Sequence, residues 1–214
     1  MNQSEYIKVR KTYAEITSHI FKYGIENGAK IIDIARLFHF AVGNTLVLES
    51  EHESDYIAEY LIFESEIKGQ KTIDLFYDEA EDMDSEWEEM LESMVNHRPS
   101  LYEVVEINEK AHCVYLKDLL NKSEDKFELL DLNFSKTAAN GLLVYARLLP
   151  IRNTHISSGI SFPFSNKFKE PLLKEISFMS FKKGKKIKSA ELIVAMYHHS
   201  KTIGDEIQFA NVLD

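Results

Sequence analysis

The feature that most constrains this chain is a change of period at Pro99. Before it, apolar residues recur every three or four positions, the spacing of one face of an α-helix. After it they fall into short runs rich in Val, Ile, Leu and Tyr, separated by turn residues, which is how strands read. A chain that switches in this way cannot be a single bundle or a single sheet. It must join a helical part to a β part.

The helical part runs from residue 1 to about 98. Tyr6, Val9, Tyr13, Ile16, Ile20 and Tyr23 make one stripe, with Gly24 and Gly28 as stop signals. Ile31, Ile34, Ala35, Phe38 and Val42 predict a second helix, closed by Gly43-Asn44. Tyr56, Ile57, Tyr60, Leu61 and Phe63 predict a third, ending at Gly69. Ile73, Phe76, Tyr77 and Ala80 form a short stripe, and Trp87, Met90, Leu91 and Met94 another that should face the core. Between these stripes, Ser85 with Glu88 three residues on has the spacing of a capping box.

The β part covers 99–165. Its runs are "LYEVVEI", "AHCVYLKDLL", "KFELLDL", "GLLVYARLLPI" and "THISSGISFPF", with Pro163 suited to a sheet edge. Strands this short and close predict a small antiparallel β barrel or a strongly curved sheet. Residues 166–214 return to helical spacing around the turn "KKGKKIK" and are expected to pack on the same core. The fold class is therefore α+β: a helical N-terminal half, a β module and C-terminal helices.

Charge is unevenly spread. The chain has 35 Asp and Glu against 25 Lys and Arg, and nine of those carboxylates lie between Asp78 and Glu92 with no Lys or Arg among them. Residues 167–188 lean the other way, with eight Lys against Glu170 and Glu175. A uniformly acidic protein would repel nucleic acid, whereas a polarised one keeps a local basic surface available. The single Cys excludes an internal disulfide framework and any Cys-rich zinc site. The N-terminus has no uninterrupted apolar h-region, and no apolar run is long enough to span a bilayer. The expected setting is cytoplasmic, with no membrane partner.

The stretches "EWEEMLESMVNHRPSLYEVVEI", "VYLKDLL", "YARLLPI" and "SGISFPF", across about residues 82–164, carry a resemblance. They are similar to a segment of uncharacterised bacterial proteins, some of which end in the short zinc-binding SEC-C motif. The resemblance implies a helix leading into a β module and implies no activity. One Cys cannot supply the SEC-C motif, so its docking role does not transfer to this chain.

No constellation in the sequence carries catalysis. The acidic run fails as an EF-hand loop, because neither Asp78 nor Asp82 as first residue puts Gly at the sixth position. It reads as solvated helix faces, with Asp82 and Asp84 as the sites of any weak divalent contact. His198-His199 point about 100° apart on a helix and chelate poorly. His39 reads as a hydrogen-bonded core or boundary residue. Cys113 sits in a predicted strand, where adjacent residues face opposite ways, so His112 is badly placed to activate it. Ser157-Ser158-Gly159 reads as a turn or bulge. Arg147, a charge among apolar neighbours, is either half of a structural ion pair or part of a ligand groove. Lys182, Lys183, Lys185, Lys186 and Lys188 flank Gly184, with Phe178 and Phe181 nearby at a spacing that reads as core.

These observations lead to a non-catalytic interaction or regulatory protein, with another protein as its partner and no cofactor. The alternative is nucleic-acid binding through the lysine turn 182–188 and the β module, where Tyr115, Lys117 and Arg147 would make a second contact face.

Overall fold

A computed structural model describes residues 1–121 and 125–204. The end of the 166–214 segment and part of the separator at 121–125 thus lie outside the described residues. The chain is α+β and divides into two compact units, Met1–His97 and Arg98–Asp214.

The first unit is helical. It holds α1 (Gln3–Glu26), α2 (Ile31–Leu37), α3 (His52–Phe63), α4 (Thr72–Glu79) and α5 (Ser85–Val95). Two hairpins interrupt it: β1 (Ala41–Val42) with β2 (Thr45–Leu46), and β3 (Glu66–Ile67) with β4 (Gln70–Lys71). Both correct the sequence reading. Helix α2 ends at Leu37 rather than Val42, and Gly43-Asn44 is the turn of the first hairpin, with Gly43 at φ +62°. Helix α3 ends at Phe63 rather than Gly69. Lys68 and Gly69, at φ +55° and +84°, turn the second hairpin, as a two-residue hairpin turn requires.

Gly24 is no stop signal. It lies inside α1 and is buried, and a Cβ built on it would sit 2.5 Å from Leu61 Cδ2 and 3.1 Å from Thr72 Cγ2. Its small size lets α1 approach α3 and α4 closely. Asp84, not Ser85, caps α5, its carboxylate accepting from the N–H groups of Glu86 and Trp87. Met90, Leu91 and Met94 are buried. Trp87 is only half-buried, with its ring edge-on to His19 at 5.1 Å. Tyr77 is exposed, so the α4 stripe is narrower than its spacing implied.

The second unit is a closed five-stranded barrel with helices on it. Its strands are β5 (Arg98–Asn108), β6 (Cys113–Asp118), β7 (Lys126–Leu130), β8 (Leu143–Ile151) and β9 (Thr154–Phe164), in the order β5-β6-β7-β9-β8. Every pairing is antiparallel except β7 with β9, which run parallel at Leu129–His155. A short helix, α6 (Phe134–Thr137), precedes β8, and Phe134 joins Tyr102, Val104, Leu116, Phe127, Val144, Ala146 and Leu148 in the barrel core.

Closure needs bent strands, and bulges supply the bends. One falls between Val104 and Glu106 on β5. The other sets Arg147 of β8 against residues 158–160 of β9, where Gly159 has φ +104°. Ser157-Ser158-Gly159 therefore leads into a bulge. Pro163 pairs with Val144 on one side, and the β7 ladder on the other side of β9 is registered far back at His155, so no β7 pairing is placed where proline lacks its N–H. Helices α7 (Lys169–Lys182) and α8 (Ser189–Ile203) complete the unit. Tyr197 of α8 packs edge-on against Phe162, which stacks on Tyr145, so α8 covers part of the barrel's outer face.

Candidate functional site

Two surfaces stand out, one in each unit. In the first unit, Val42, Leu46, Val47 and Leu48 are exposed on and after the β1–β2 hairpin, Val42 at 72%, together with Leu37 at the end of α2. The hairpin is not a loose loop. The Arg36 guanidinium donates to Asp33 Oδ1 at 2.6 Å, to the Gly43 carbonyl at 3.0 Å and to Asn44 Oδ1 at 2.7 Å. Val47 N–H donates to the Phe40 carbonyl at 2.8 Å, and Phe40 stacks on Phe38 and Tyr56. An aromatic stack and one arginine thus fix a hairpin on and after which these apolar side chains are exposed. His39 at the base of this hairpin is exposed, at φ +63°, which corrects the burial in its reading as a hydrogen-bonded core or boundary residue.

In the second unit, α7 and the lysine turn carry the other surface. Phe178 and Phe181 are 63% and 83% exposed, a correction to their reading as core. The inward face of α7 is instead Leu172 and Ile176. The turn itself is a Schellman motif: Lys185 N–H donates to the Ser180 carbonyl and Gly184 N–H to that of Phe181, with Gly184 at φ +64°. Ser180 Oγ accepts from Ile187 N–H at 3.1 Å, which folds the chain back towards α8.

The five lysines differ in their surroundings. Lys183 pairs with Glu191 at 2.5 Å, and this pairing holds the Glu191 carboxyl below its usual range. Lys186 donates to Asn121 Oδ1 at 2.5 Å. Lys182, Lys185 and Lys188 are exposed, and the charge of Lys185 also acts on Glu191. Arg147 is fully buried on β8, opposite Pro99 of β5, on the face away from the barrel core. On β6, the Tyr115 hydroxyl donates to Glu128 at 3.1 Å and Lys117 is exposed.

Beside the lysine turn lies a cleft of about 620 Å³. Its walls are Pro99, Leu119, Leu120 and Asn121 from the barrel, Leu173, Ile176, Ser177 and Ser180 from α7, and Lys186, Ile187, Ser189 and Leu192 from the turn and α8. Asp118 shapes the barrel side: it accepts from Ser100 Oγ at 2.5 Å and from Leu120 N–H, Asn121 N–H and Asn121 Nδ2. No sequence signal pointed to this cleft, because its wall comes from three distant segments.

The remaining sequence candidates have structural surroundings. His112 ends a short 3-10 turn at φ +56°, outside the strand that Cys113 begins. The Cys113 thiol is buried and pushed up to about 11 by desolvation first and by Glu128 second, so it stays protonated at neutral pH. His199 pairs with Glu175 of α7 at 3.0 Å. Among the described residues no group of three or more His, Cys, Asp or Glu is placed to hold a metal ion, and no helix is long and apolar enough to cross a membrane.

A model described as a family of unknown function, DUF7986, matches residues 1–210, and the chain belongs to that family. The match extends well beyond the stretch over which the sequence resembled uncharacterised proteins. No curated protein and no solved structure matches.

Proposed function

We propose that this DUF7986 protein is a non-catalytic interaction protein and that a partner protein docks on the apolar hairpin of its first unit. The observation that carries this reading is the exposure of Val42, Leu46, Val47 and Leu48 on and after a hairpin that Arg36 and the Phe38–Phe40–Tyr56 stack hold in place. Apolar residues held exposed on an ordered scaffold are what a protein contact buries. The test is a triple variant, Val42→Asp with Leu46→Asp and Val47→Asp. Exposed positions of this kind change stability by about 0.5 kcal/mol or less each, so the variant should fold. Capture from the native host, read by mass spectrometry, should give a partner with the wild type that is lost with the variant. A partner that stays bound to the variant would sink the reading. Light scattering on the purified chain shows whether the partner is a second copy.

A second reading has its own support. Exposed Phe178 and Phe181 beside the lysines are the components of a stacking platform for a nucleic-acid strand. Fluorescence anisotropy with a labelled single strand and a labelled duplex separates the readings. The first predicts no binding tighter than about 10 μM at physiological salt, where non-specific affinities are typically 10⁻⁴–10⁻⁶ M. Submicromolar binding, lost on changing Lys182, Lys183, Lys185 and Lys186 to Glu, would promote the second. Its log–log salt slope would be no steeper than about −4.5 for five lysines.

A further inference from the structure

The cleft beside the lysine turn has an apolar body and a cationic rim, and it is separate from the hairpin in both sequence and unit. Its volume of about 620 Å³ falls within the range of about 300–1,000 Å³ typical of small-molecule sites. Leu119, Leu120, Leu173, Ile176, Ile187 and Leu192 give a wall suited to an aliphatic chain. A purely apolar cleft would take any hydrocarbon. This one has Lys186 on its wall, and the only acceptor bonded to that ammonium among the described residues is the neutral amide oxygen of Asn121. An ammonium has three N–H donors, and among the described residues one of them is used. Of the nearby carboxylates, Asp118 takes four donors, and Glu191 is paired through Oε1 with Lys183 rather than with Lys186. Helix α8 starts on the same wall at Ser189, with no side-chain cap, and adds the positive end of its dipole.

We propose that this cleft binds a medium-chain carboxylate, its chain along the leucine and isoleucine wall and its head on Lys186. One ammonium on the wall matches a monoanion better than a phosphate dianion, which favours a carboxylate. Ser177 lies on the wall from α7, where a larger side chain would fill the space the ligand needs.

The experiment is isothermal titration of the full chain with octanoate, decanoate, 1-octanol and octyl phosphate, on the wild type, Lys186→Gln and Ser177→Phe. Far-UV circular dichroism checks that each variant is folded. Octanoate should bind saturably with one site. Decanoate should bind about 15-fold tighter, about fourfold per added methylene. Lys186→Gln should weaken octanoate by about fivefold and leave octanol unchanged, since only the carboxylate uses the charge. Ser177→Phe should weaken both. The proposal is overturned if octanol binds the wild type as well as octanoate does, if Lys186→Gln has no effect, or if octyl phosphate binds tighter than octanoate. The hairpin triple variant should bind octanoate like the wild type. Loss of binding there would overturn the assignment to this cleft without touching the docking reading, which is tested by capture of a partner.

Discussion

At the scale of single residues, Gly24 and His155 make the sharpest claims. An alanine at position 24 gains about 1 kcal/mol of helix propensity, but its Cβ would lie 2.5 Å from Leu61 Cδ2. Overpacking of this kind costs about 1–3 kcal/mol. Gly24→Ala should therefore destabilise or at best leave stability unchanged. Adding Leu61→Val should recover part of any loss, and thermal melts of the wild type and the two variants would show it. His155 is partly buried. Its Nδ1 lies 3.2 Å from the Glu128 carbonyl, which can only accept, so that nitrogen carries the proton. Desolvation first and Arg98 second lower its pKa, while the backbone hydrogen bond and Glu128 oppose them. The unfolded chain thus takes up a proton before the folded one does. Stability should be unaffected above about pH 6.5, the ordinary histidine value, and fall as the pH drops below it. His155→Gln should flatten that fall in denaturant titrations between about pH 6.5 and 5. An unchanged slope would show that other groups set it.

At the scale of elements, helix α5 tests the assignment of faces. Met90 is buried, whereas Trp87 lies half-open against His19. Met90→Ala should cost about 2–5 kcal/mol. Trp87→Ala should cost less than a core tryptophan would, and exposed Glu88→Gln less than about 0.5 kcal/mol. A larger loss from the Glu88 change than from the Met90 change would reverse the faces. These elements also show what the residues disclosed. The helices α1, α3 and α5 and all five barrel strands were legible, because each is long enough for its period to repeat. The hairpins β1–β2 and β3–β4 were not. Two residues per strand leave no period, and their apolar residues were absorbed into the helices before them. Phe178 and Phe181 misled for a related reason: a spacing of three fits either side of a helix, and Leu172 with Ile176 took the inner one. The lysine turn was visible as a run of charge, whereas the cleft beside it joins Pro99, Leu119–Asn121 and α7–α8, a proximity that only the closed barrel creates.

At the scale of the whole molecule, the charges divide with the units. Met1–His97 holds 21 Asp and Glu against 8 Lys and Arg, and Arg98–Asp214 holds 14 against 17, out of 35 and 25 in all. Self-repulsion in the first unit weakens as salt shortens the screening length from about 30 Å at 0.01 M to about 10 Å at 0.1 M. Trp87, the one tryptophan, lies in that unit. Its fluorescence transition should therefore move to higher temperature over that range of salt, and a transition that stays put would show that the repulsion is already balanced by local pairs. The barrel has a different vulnerability. Its circle is completed by β7 and β9, a parallel contact registered at one pair, Leu129 and His155, where β8 and β9 share eight. A ring whose shortest join is this one, helped by the Thr154 hydroxyl and His155 Nδ1 on the Glu128 carbonyl, should open there first, as a zip does at its slider. Amide protons along β7 and the start of β9 should exchange with deuterated solvent earlier than those of β8, and faster still at the acidity that charges His155.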